Sequence, residues 1–150
     1  MKLTAIIVLA TTALLLMLYP LWGLLHPESY GAVLQAEFDL TESIAPDLVQ
    51  RSAAMNWAPN GILASAFVCL AGFVARPGRR IHAHWAGGCL IVYPLVRSIA
   101  DGLSGLNLTS HSPEPEFALF FGGENLVYMV FGLAVLGIAS AMPLPEETEH

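Results

Sequence analysis

The chain has 150 residues, of which 55% are hydrophobic and only 12% charged, whereas a water-soluble domain carries about a quarter of charged residues. Its formal net charge of −6 argues against nucleic acid as a partner and favours cations or basic surfaces. No Cys-x-x-Cys, zinc spacing, phosphate loop or Ser-His-Asp order occurs, so the sequence offers no catalytic residue, no metal set and no cofactor site, and it reads as a non-enzyme.

Four apolar stretches, residues 3–25, 57–75, 82–104 and 117–142, are each close to or above the ~20 residues a helix needs to cross ~30 Å of hydrocarbon. They predict an all-α integral membrane four-helix bundle, residues 1–150 forming a single membrane domain of antiparallel up-down spans. The first stretch follows Lys2 as a signal peptide would. Its length exceeds an ordinary signal core, and Trp22 to Pro27 offers no small-residue cleavage site, so it reads as a retained span. Pro20 and Gly23 should bend or end it, with Tyr19 and Trp22 at interface depth.

Residues 26–56 are expected to be an extracytoplasmic loop with short surface helices. Tyr30, Val33, Leu34 and Phe38 share one helical face opposite Gln35 and Glu37, suited to lying on a membrane or, alternatively, to closing over the outer mouth as a lid. A second short helix is expected near Asp47 after Pro46, with Asn56 capping span two.

Span two opens with Trp57 and Pro59 and carries Gly61, Ser65, Cys69 and Gly72 at spacings of four, four and three, a face of small residues for close helix packing. Arg76, Pro77, Gly78 and Arg79 have the order of a type II turn, so spans two and three form a tight hairpin. Ala83, Ala86, Gly87 and Gly88 supply small residues on the returning helix. His82 and His84 point about 160° apart on that helix, which suits headgroups better than chelation of one metal. Cys69 and Cys89 lie at similar depth and read as packing residues rather than a redox pair.

Arg97 is the charge within span three, and Glu124 is the one acid within another apolar stretch. Both lie roughly 10 Å below the outer boundary, counted along the helix rise. With Asp101 four residues beyond Arg97 and Tyr128 one turn after Glu124, they outline an intramembrane polar cluster. It reads either as a clasp fixing how spans three and four pack or as a proton or cation site; the clasp is preferred. Pro94 frees the Leu90 carbonyl, so a bend there is expected. Span four continues through Gly122, Gly123, Asn125, Gly132 and Gly137 until Pro143 and Pro145, followed by Glu146, Glu147 and Glu149. Asn107, Leu108 and Thr109 form a glycosylation sequon.

Lys2, Arg76, Arg79 and Arg80 predict that both termini and the hairpin turn face the cytoplasm. The other side carries Glu28, Glu37, Asp39, Glu42, Asp47, Glu114 and Glu116.

The run Gly78-Arg79-Arg80-Ile81 entering an apolar helix, Pro94 with Arg97, the polar stretch from Asn107 to Ser112, and Glu124-Asn125-Leu126 leading into the last helix resemble a family of small four-span bacterial inner-membrane proteins classed as a domain of unknown function. The resemblance is clearest over residues 78–142. The short turn and the acidic tail depart from the family's longer connection and more basic tail. The resemblance implies the bacterial inner membrane and transfers no functional residue. The expected role is therefore structural, regulatory or partner-docking, toward the lipid bilayer and another membrane protein or a second copy. A small proton- or cation-coupled transporter or channel subunit using Glu124 and Arg97 is the alternative.

Overall fold

The computed structural model describes residues 1–37, 43–76, 79–104 and 123–142, without the side chains of Glu37, Gly123 and Glu124. The described residues form five helices and no strand: α1 (Lys2–Leu25), α2 (Pro27–Glu37), α3 (Pro46–Ala75), α4 (Arg80–Ser104) and α5 (Gly123–Ala141). The lid or surface role of Phe38, the sequon and the acidic tail lie outside them, as do residues 117–122 of the expected fourth span.

Three of the helices, α1, α3 and α4, are long and apolar enough to cross a membrane. Their apolar windows are only 11%, 22% and 33% buried within the protein, which leaves the greasy side chains on the outside. Leu3, Val8, Leu14 and Leu15 of α1 are among the exposed ones. A protein with so much apolar surface needs lipid or other helices around it. The apolar part of α5, Asn125–Ala141, is shorter.

The helix that carries the second apolar stretch begins before that stretch. The chain from Pro46 onward is one helix running to Ala75, so the short helix expected near Asp47 is the first turn of α3. Pro46 occupies the first position, where its missing N–H costs nothing, and Asp47 follows in the first turn, where the helix dipole favours an acid. Asn56 is not a cap. Its amide donates to the Ser52 carbonyl one turn back, at 3.0 Å, and lies 3.4 Å from the Ser52 hydroxyl. Pro59 stands inside the helix and is fully buried, its ring serving the packing rather than breaking the helix.

Pro20 likewise fails to end α1, which runs on to Leu25. Proline at 20 cannot donate to the carbonyl of Leu16, so that oxygen is orphaned inside an apolar helix. The Asn60 amide of α3 supplies the missing donor, at 3.0 Å from the Leu16 oxygen. One helix thus completes the other's backbone, and the Gln50 amide repeats the device at the Leu24 carbonyl, 3.3 Å away in the last turn of α1. Both bonds fix the same antiparallel register. Replacing Asn60 with leucine is expected to cost about 1–2 kcal/mol, and replacing Pro20 with leucine in the same chain to recover most of it by restoring the intrahelical bond. Thermal unfolding of the two single variants and the double variant in detergent checks this, and strict additivity would contradict it.

The described residues bear out the all-helical class, but their packing does not show the expected four-helix bundle. Backbone contacts join α1 to α3, α3 to α4 and α4 to α5 in a row, with α2 against α1 and α3. Among the described residues no Cα of α1 comes within 8 Å of one in α4 or α5. In water such an open row would fold over to hide its faces; in lipid the hydrophobic drive to do so is absent. The core of the row is Leu63, Ala66, Leu90 and Tyr93, flanked by Leu16, Phe67, Cys89 and Tyr128.

Candidate functional site: a polar stripe at the α4 and α5 contact

Tyr93, Arg97 and Asp101 recur every four residues and so stand in one stripe along α4. The Arg97 guanidinium donates from Nη1 to the Tyr93 hydroxyl at 2.9 Å, and its Nε lies 3.7 Å from the Asp101 carboxylate. The side chains of Arg97 and Asp101 are 41% and 52% exposed, so the protein does not seal the pair away. Tyr93 is the opposite case, buried in the core beneath it. Its ring meets Tyr128 of α5 edge to face, with centroids 4.9 Å apart, a geometry worth about 0.5–1.5 kcal/mol beyond buried area. The stripe therefore runs from an accessible ion pair to an aromatic contact between two helices.

Farther along the contact the same two helices touch backbone to backbone. A Cβ on Gly132 would stand 2.8 Å from the Gly87 carbonyl oxygen, and one on Gly87 would stand 2.9 Å from that of Gly132. Tyr93 with Tyr128 and Gly87 with Gly132 define one antiparallel register. Extended by a turn toward the end of α4, it brings backbone position 124 level with position 97. The Glu124 side chain lies outside the described residues.

Of the expected cluster, Arg97 and Asp101 come together and Tyr128 joins them through Tyr93. Sequence reasoning missed Tyr93 itself. Its signal was present, since it stands one turn before Arg97 on the same face. The bend expected at Pro94 falls where that residue is fully buried, and the Ser98 hydroxyl donates to its carbonyl at 2.9 Å.

The small-residue face of α3 is used unevenly. Gly72 packs against the His82 ring, at 3.4 Å from a would-be Cβ, while Gly61 faces open space and Ser65 is exposed, its hydroxyl donating back to the Gly61 carbonyl at 2.8 Å. Cys69 is free and half-buried, as is Cys89 on α4. The residues of α3 that are buried are mostly others: Val49, Ala53, Leu63, Ala64, Ala66 and Ala71. His84 is taken up locally, its Nδ1 2.9 Å from the Arg80 carbonyl. Among the described residues no three His, Cys, Asp or Glu side chains converge as a metal would require.

At the other end of the row, α2 brings Tyr30 and Leu34 against Val49 of α3 and Trp22 of α1. The face expected to lie on a membrane is thus turned in part onto the protein, with Val33 left exposed. Tyr19, Trp22 and Tyr30 form an aromatic trio with centroids 4.9 to 6.3 Å apart.

Comparison with family models, with curated proteins and with solved structures returns no match for this chain.

Proposed function

We propose that the chain is a four-span integral protein of a bacterial inner membrane, both termini cytoplasmic, with a structural, regulatory or partner-docking role and no enzymatic activity. The observation that carries this reading is the open row of apolar helices. A single row buries little of itself, so its faces are available to lipid and to the helices of another membrane protein or a second copy. Arg97, Asp101, Tyr93 and Tyr128, together with Glu124, then act as a clasp that sets how α4 meets α5. The shared level of positions 97 and 124 supports that pairing, and Asp101 keeps the guanidinium neutralised from its own helix.

A second reading, a small proton- or cation-coupled transporter or channel subunit using Glu124 and Arg97, is favoured by one observation: the ion pair is open on one side. The two readings separate on substitution. For a clasp, Arg97→Gln and Glu124→Gln each lower the amount of folded protein in membranes several-fold, and exchanging the two charges, Arg97→Glu with Glu124→Arg, restores it. For transport, Glu124→Gln accumulates normally and abolishes a pH-dependent flux in vesicles. Rescue of accumulation by the exchange would overturn transport; normal accumulation of both single variants would overturn the clasp.

A further inference from the structure

The turn joining α3 to α4 gathers basic side chains that the clasp does not use. Arg76, Arg79 and Arg80 are three of the chain's six Lys and Arg residues, within five positions. None has an ion-pair partner among the described residues, the one pair formed there being Arg97 with Asp101 at the other end of α4. Arg76 and Arg79 are exposed and Arg80 is half-buried. The Nε of Arg80 is shut off from solvent and has no hydrogen-bond partner among the described residues. A buried guanidinium N–H ordinarily has one. The Arg79 N–H donates to the Arg76 carbonyl at 3.0 Å, which keeps these two basic residues close along the backbone.

Apolar surface continues directly from this basic group along one face of α4. Ile81, Trp85 and Val92 are exposed on it, and Gly88 falls between Trp85 and Val92. A Cβ on Gly88 would meet nothing within 4 Å. The face therefore carries a shallow notch between two bulky side chains rather than a contact with another helix. Planar guanidinium forks match phosphate oxygens, and an apolar channel beginning beside them matches an acyl chain. Head and tail come in the order a phospholipid presents them, with the aromatic Trp85 near headgroup depth.

We propose that the α3–α4 turn binds the phosphodiester headgroup of an anionic phospholipid, with Arg80, Arg76 and Arg79 on the phosphate and one acyl chain laid along Ile81, Trp85 and the Gly88 notch. The surplus of three cations over one phosphate selects a lipid without an ammonium group of its own. This rests on the reading that α3 and α4 cross a membrane.

The test offers the full-length protein, in mild detergent, an equimolar mixture of phosphatidylglycerol and phosphatidylcholine and counts retained lipid by native mass spectrometry. Phosphatidylglycerol is expected to be retained about tenfold over phosphatidylcholine, and the double variant Arg79→Gln, Arg80→Gln to bring the ratio close to one. Arg51→Gln, at the far end of α3, keeps the wild-type ratio, and Gly88→Leu lowers retention of phosphatidylglycerol. If the double variant does not fold, Arg76→Gln at an exposed position is expected to lower the ratio about threefold, and an unchanged ratio there overturns the proposal. Equal retention of both lipids by the wild type also overturns it, as does displacement of the lipid by millimolar inorganic phosphate, which would mark a site for free anions. Release of the protein from membranes by alkaline carbonate would refute the spanning reading itself. Resistance to carbonate without lipid preference would refute only the site.

Discussion

Replacing Gly132 with alanine is expected to drive α5 off α4. The added methyl would sit 2.8 Å from the Gly87 carbonyl oxygen, 2.9 Å from Cγ1 of Ile91 and 3.1 Å from Cβ of Leu90. Ile91 can change rotamer. A carbonyl oxygen held in a helix cannot, and neither can a Cβ, so the whole helix must move out. Overpacking of this kind costs about 1–3 kcal/mol, and valine in place of alanine raises the cost further. The consequence extends one turn up, because the Tyr93 and Tyr128 rings meet only while the backbones stay this close. Gly87→Ala is expected to do the same, since its methyl would stand 2.6 Å from Cγ of Leu136 and 2.9 Å from the Gly132 oxygen. Gly61 and Gly137 are the controls. A Cβ at either meets nothing within 4 Å, so alanine there is expected to be neutral or slightly stabilising through helix propensity. Thermal unfolding in detergent decides the matter. A Gly132→Ala variant as stable as Gly137→Ala would mean that α4 and α5 do not cross at these glycines.

That contrast also marks where sequence reading runs out. The ends of the helices were largely legible: residues 3–25 and 82–104 correspond to Lys2–Leu25 and Arg80–Ser104, because length and apolarity alone set them. The stripe of Arg97 and Asp101 was legible too, as an i, i+4 pair needs only the helical period. The start of α3 was not. Asn56 and Pro59 imitate a cap and a first-turn proline, and nothing local reveals that Ser52 satisfies the Asn56 amide from within the helix. Nor does the sequence say which small residues touch. Gly61, Gly87, Gly132 and Gly137 are alike as letters and differ only in what stands opposite, which is decided by register between helices. Pro20 shows the same limit from the other side: its orphaned carbonyl at Leu16 is predictable, whereas its donor at Asn60 lies forty-four residues away.

Substituting Gly23 is expected to undo the other end of the row, where three helices meet. A Cβ at 23 would lie 2.8 Å from that of Ala53 on α3, and 3.1 and 3.2 Å from two ring carbons of Tyr30 on α2. Ala53 is almost completely buried and has no rotamer to change. The Tyr30 ring could swing, but it is held edge to face by Tyr19 at 4.9 Å and by Trp22 at 5.4 Å. Relief must therefore come from separating α1 and α3 or from undocking α2. Gly23→Ala is expected to lose about 1–3 kcal/mol, and Gly23→Leu to release α2 altogether. Undocking would expose Tyr30, Leu34 and Val49 together, collapse the near-ultraviolet circular dichroism of the aromatic trio and shift Trp22 emission. The Asn60 bond to Leu16 lies two turns along the same contact and should weaken as α1 and α3 part. The partner substitution isolates the cause. Ala53→Gly in a Gly23→Ala background removes the one contact that cannot relax and is expected to recover most of the lost stability, although Ala53→Gly alone is destabilising in a helix by about 1 kcal/mol. If the two substitutions simply add, the clash at Ala53 is not what holds position 23 to glycine, and the close approach of α1 to α3 is set elsewhere along their length.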